Sequence, residues 1–115
     1  MTTTNKLPET QRLRRGHKFY PTTAAKVPAL YSTEDTKAAD KVIRAHYFVG
    51  GCDWWVAEWN PADGDAFGFV CLGDPQSAEW GYFDLTELEA LKYAWMVVER
   101  DMHWAPRPFA QVWDR

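Results

Sequence analysis

The sequence predicts an α+β domain: an antiparallel β-meander of about five strands with one helix packed on one face. Three observations predict it. Between residues 42 and 83, four short runs rich in β-branched and aromatic residues are separated by turn formers. The connections between them are short, which favours antiparallel neighbours. After Phe83 the apolar spacing changes from the strand period to the helical one.

Residues 1–27 read as a basic, flexible N-terminal extension, and residues 28–115 as a single domain. Pro8, Gly16, Pro21 and Pro28 punctuate a segment with little apolar periodicity, although Pro8–Arg15 has room for a helical turn or two. Phe19 and Tyr20 are the residues through which it could find a surface. Within the domain, Ser32-Thr33-Glu34-Asp35 offers a helix N-cap followed by acids, and predicts a short helix over about 33–40.

Val42 to Val49 is the first strand, with Ile43, Ala45, Tyr47 and Val49 on one face. Gly50-Gly51 turns the chain into a second strand over 54–59. Alternation there sets Trp55, Ala57 and Trp59 against Trp54, Val56 and Glu58. Asn60 to Asp65 is a hairpin loop in which Gly64 takes a positive φ. Ala66 to Leu72 is the third strand; Gly68 within it marks a bulge or the close approach of a bulky ring. Glu79 to Phe83 is the fourth. Asp84 and Glu87 then fit a capping box, opening a helix over about 85–93 that lays Leu88 and Leu91 on the sheet. A short strand over 95–99 follows. Pro106 and Pro108 break the tail, where Phe109, Val112 and Trp113 remain able to dock.

At 115 residues the chain has room for one core. Aromatics make up 16% of it, and six of its seven tryptophans fall within residues 45–104. Large rings bury much area per residue, so core packing is the first explanation of that excess. Cys52 and Cys71 form no disulfide framework. The N-terminus lacks an apolar leader and no run approaches a membrane span. Reduced thiols in a soluble, cytoplasmic protein are therefore expected.

The net charge of −3 is unevenly distributed. Residues 1–28 hold Lys6, Arg12, Arg14, Arg15, Lys18 and Lys26 against Glu9, giving +5, whereas residues 29–115 give −8. Such an arm can reach for nucleic acid or a partner, or fold back onto its own acidic body.

Chemistry is thinly signalled. Cys52, Cys71, His46 and His103 are ligand types that zinc accepts, but no two stand close enough to form a knuckle. Cys52 is followed by Asp53, which would raise rather than lower a thiol pKa. Asp53, Glu58, Asp63, Asp65, Asp74, Glu79 and Asp101 follow no two-metal or calcium-loop pattern. The expectation is therefore no catalytic residue, no metal and no cofactor. The leading functional reading is a non-enzymatic protein-interaction domain, presenting an acidic, aromatic face around Asp53, Trp54, Asp74 and Trp80 to a protein partner. The alternative is a nucleic-acid-binding accessory protein using Arg12, Arg14, Arg15 and Lys18.

From Pro28 onward the chain resembles a family of small proteins catalogued as a domain of unknown function. The residues that carry the resemblance include Ala45-His46-Tyr47-Phe48, Gly51 to Glu58, Leu72-Gly73-Asp74-Pro75-Gln76, Ala78 to Phe83 and Val98-Glu99-Arg100-Asp101. They span roughly residues 28–110. The resemblance implies carriage by phages, plasmids and integrative elements in a bacterial host, with accessory or counter-defence roles and no established reaction.

Overall fold

The computed structural model describes residues 7–113. Lys6 of the basic arm lies outside the described residues. In chain order the elements are helix α1 (Arg12–Arg15), strands β1 (Val42–Ile43), β2 (Ala45–Val49), β3 (Cys52–Trp59), β4 (Asp65–Leu72) and β5 (Glu79–Asp84), helix α2 (Leu85–Ala90), then β6 (Lys92–Tyr93), β7 (Met96–Val97), β8 (Glu99–Arg100) and β9 (Arg107–Pro108).

The meander is present as predicted. A five-stranded antiparallel sheet runs in the order β5-β4-β3-β2-β8. Two small pairs accompany it, β1 with β9 and β6 with β7. The first predicted strand is broken at Arg44, whose amide bonds to Val56 O at 3.0 Å. The break lets Ile43 join one cluster and Ala45 the other. Where a helix is expected near 33–40, the chain makes successive turns and then a 3₁₀ turn at Ala38–Asp40. Helix α2 stops at Ala90, short of 93, because Leu91 turns to extended backbone and leads into the β6–β7 hairpin. Trp95 therefore sits in that hairpin turn, 75% exposed, rather than opening a strand.

Both faces of the sheet are covered. Over the first, Phe19, Tyr20 and Val27 from the N-terminal segment, with Leu85 and Leu88 from α2, pack on Ala45, Tyr47, Trp54, Val56 and Ala66. Over the second, Trp104, Phe109, Val112 and Trp113 pack against Trp55, Ala57, Phe69 and Cys71. The tail thus docks on the body, as its apolar residues allow.

The basic segment supplies part of the core. Phe19 is fully buried, and its carbonyl accepts a 2.7 Å hydrogen bond from the buried Tyr47 hydroxyl. Burial pushes that phenol's pKa well above its usual value. Arg15 is buried too, ion-paired to Glu89 at 3.1 Å. Burial alone raises the Glu89 carboxyl, but hydrogen bonds from Thr10, Gln11 and Arg15 more than offset this and hold it below its ordinary value of 4.5.

A depressed carboxyl pKa contributes stability that is complete above the unfolded value and is lost as pH falls through the folded one. Thermal unfolding followed from about pH 7 down to about pH 3 should therefore show a midpoint that declines mainly below the ordinary carboxylate range. Glu89→Gln should be less stable at neutral pH and flatter in that acid limb. An acid limb equally steep in the variant would contradict the role assigned to Glu89.

Candidate functional site

The site begins with a fault in the sheet. Pairing between β3 and β4 runs Val56 with Gly68 and then Glu58 with Phe67, so Ala57 is an extra residue on β3. Such a bulge resets the alternation. Glu58 therefore shares the face of Ala57, and Trp59 returns to the face of Val56, opposite to the simple alternation expected for both. Glu58 is 2% exposed. Its carboxylate accepts from Tyr31 N at 2.7 Å, from Thr33 N at 3.0 Å and from the Thr33 hydroxyl. Lys41 Nζ, 2.9 Å from Thr33 Oγ1, completes the network.

This network fixes the 31–33 turn and holds Tyr31 at φ +72°, a conformation that side chains other than glycine rarely adopt. The Tyr31 ring then lies 6.0 Å from that of Tyr82 on β5. Tyr82 in turn stands 4.8 Å from Phe67, and Phe67 stacks at 5.5 Å on Trp80. Tyr31 and Tyr82 remain 57% and 61% exposed. They border a cleft of about 310 Å³ that is also lined by Leu30, Phe83, Asp65 and Asp84.

Asp65 and Asp84 are direct cross-strand partners. Like charges facing each other across a sheet oppose stability. Asp84 has an internal use: its Oδ1 accepts from Thr86 N at 2.8 Å and caps α2, so the predicted cap forms, bonded one residue earlier than a capping box requires. The Asp65 side chain is exposed and makes no hydrogen bond or ion pair with another described residue. Beside it, β5 is an edge strand, and no described strand pairs with its outer side. The cleft thus combines two exposed phenol rings and two adjoining carboxylates, and Tyr82 and Asp84 among them belong to edge strand β5.

The residues singled out from sequence do not form one face. Trp80 is half-buried, between Phe67, Phe69 and Phe109. Trp54 is buried on the opposite side of the sheet, in the cluster with Phe19 and Tyr47. Asp74 caps the 3₁₀ turn at Pro75–Ser77 through Gln76 N at 3.0 Å. Asp53 Oδ1 lies 2.7 Å from Nε2 of His46, whose Nδ1 lies 2.9 Å from Asp101 Oδ2. The imidazole stacks on Trp55 at 5.3 Å and bridges β3 to the segment after β8. Cys71 is buried and Cys52 half-buried. In the arm, Arg14 and Lys18 are exposed, Arg12 lies 3.9 Å from Glu9, and Arg15 is committed to Glu89.

Tyr31 and Tyr82 are not among the residues that the sequence singles out, and Asp65 there belongs to a hairpin loop. The usable signal was the strand pairing itself: an Asn60–Asp65 hairpin loop sets the residue after Gly64 opposite the cap of α2.

A small α+β domain with both sheet faces covered and one acidic, aromatic edge is thereby defined. Residues 21–114 match the family described as "Protein of unknown function (DUF2958)", and the chain belongs to that family. No curated protein and no solved structure matches it. No helix among the described residues is long and apolar enough to cross a membrane.

Proposed function

We propose that this protein is a non-enzymatic protein-interaction domain that accepts a basic, extended segment of a protein partner along the outer edge of β5. The observation that carries the reading is the facing pair Asp65 on β4 and Asp84 on β5 beside exposed Tyr31 and Tyr82, with no described strand on the outer side of β5. An added strand would satisfy the backbone of β5. A lysine or arginine from it would relieve the like-charge pair and lie against the phenol rings. The −8 balance of residues 29–115 would steer such a segment toward the domain. On the family resemblance, the partner is a protein of the host or of a mobile element.

Nucleic-acid binding through Arg12, Arg14, Arg15 and Lys18 has less support, because burial of Arg15 against Glu89 removes one of its four cations from the surface.

The test is fluorescence anisotropy with labelled short peptides of alternating apolar and basic residues, set against an acidic counterpart. Saturable binding of the basic peptide is expected, weakened about ten-fold or more by Asp65→Lys, the equivalent of ~1.4 kcal/mol. Asp74→Lys, at the other end of the sheet, should bind as wild type does. Loss with Asp74→Lys but not with Asp65→Lys would contradict the β5 site.

A further inference from the structure

A second cavity, of about 230 Å³, opens between the N-terminal layer and the segment after β8. Its lining includes Pro21, Arg44, Arg100, Asp101, Met102 and Trp104. Two guanidinium groups thus meet one carboxylate, and that carboxylate is already engaged. Asp101 Oδ2 faces His46 Nδ1 at 2.9 Å, and its Oδ1 accepts from His103 N at 3.0 Å. Burial alone raises this carboxyl, but those two partners hold it below the ordinary aspartate range.

Arg100 is tethered by Nε to Lys18 O at 2.9 Å. Arg44 is different. It makes no ion pair with a described residue, and its buried Nε has no hydrogen-bond partner among them. A buried guanidinium nitrogen without an acceptor is costly, and native proteins leave few such groups unmatched. A third cation adds to the field: the guanidinium of Arg107 lies 4.0 Å from the ring centre of Trp104.

From these observations we infer that the cavity binds a small organic oxyanion, a carboxylate or a phosphate monoester. Arg44 and Arg100 take the charged group, and Met102, Trp104 and Pro21 contact its apolar part. The chemistry follows from the donors. A guanidinium fork matches the paired oxygens of a carboxylate or phosphate, and Thr22 adds a hydroxyl to the same lining. Arg44 and Arg100 against Asp101 leave the lining net positive within a body, residues 29–115, whose balance is −8. The cavity is independent of the β5 edge.

The test is NMR of the full chain at constant ionic strength, following the Nε–Hε signals of arginine and the indole N–H of Trp104. The probes are inorganic phosphate, glycerol phosphate and glutarate, with chloride as the control. A saturable shift of the Arg44 signal with at least one oxyanion, absent with chloride, is expected. It should weaken ten-fold or more in Arg44→Gln. Because that variant alters a half-buried side chain, Ala24→Glu serves as a second one. Ala24 is exposed and lines the cavity, and a glutamate there competes through its own carboxylate. Phosphate and glutarate responses compared side by side distinguish the two ligand classes. Shifts that are linear with concentration, or unchanged in Ala24→Glu, would overturn the assignment.

Discussion

Replacing Arg15 by alanine is expected to lower the free energy of unfolding by about 3–5 kcal/mol, the usual scale for breaking one partner out of a buried ion pair. The side chain makes three separate bonds to the body. Nε donates to Val98 O at 2.7 Å, Nη1 to the Glu89 carboxylate at 3.1 Å, and Nη2 to Glu89 O at 3.0 Å. Its guanidinium also lies 4.5 Å from the ring centre of Phe19. Removing it leaves the Glu89 carboxylate buried with only Thr10 and Gln11 as partners. Arg14→Ala is the control, one residue away and exposed, and should change stability by no more than about 0.5 kcal/mol. Urea unfolding of both variants decides the matter. Equal midpoints for the two would show that the basic segment is not part of the folded core.

Gly68→Ala is expected to be as damaging, costing about 3 kcal/mol or more, or preventing folding altogether. A Cβ at Gly68 would overlap the carbonyl oxygen of Trp55, lie 2.9 Å from its carbon, and stand 3.1 Å from Val56 Cα. These are backbone atoms of the central strand β3, so no side-chain rotation can relieve the clash. Gly81 is the cross-strand partner of Gly68 on β5, and a Cβ there meets nothing within 4 Å. Gly81→Ala should therefore be neutral, or stabilise by roughly 0.4–1 kcal/mol through the unfolded chain. The same substitution on paired residues should thus give opposite results, read by thermal unfolding. A well-folded Gly68→Ala with an unchanged midpoint would contradict the close β3–β4 contact.

These two residues also show which parts of the molecule were legible in the sequence. Gly68 was visible as an interruption in a strand, because glycine in such a run signals a bulge or a close approach. The approaching atoms are backbone rather than a ring, and the bulge lies on the opposite strand at Ala57. No residue in Trp55-Val56-Ala57-Glu58 marks the extra position, so the exchange of faces at Glu58 and Trp59 could not be read from alternation. The meander itself was legible because each strand carries its own apolar pattern and each turn its own glycine or proline.

Arg15 illustrates the other limit. Its partner Glu89 is 74 residues away, and nothing local distinguishes it from Arg12 or Arg14. Charge balance showed only that the segment could fold back, not which cation would be buried. The β5 cleft was illegible for a similar reason. Tyr31 and Tyr82 meet only because a glutamate displaced by a bulge holds the intervening turn. Asp65 and Asp84 each have an ordinary local explanation until the strand register places them side by side.

A segment added along the outer edge of β5 would leave its mark on the hydrogen exchange of that strand's amides. Exchange should be measured for Glu79–Asp84 with and without a saturating basic peptide. Amides of β5 not bonded to β4 are expected to exchange freely in the free domain and to become protected when peptide binds, with Asp65→Lys abolishing the gain. Protection elsewhere on the domain, or peptide binding that leaves every β5 amide unchanged, would contradict binding at that edge.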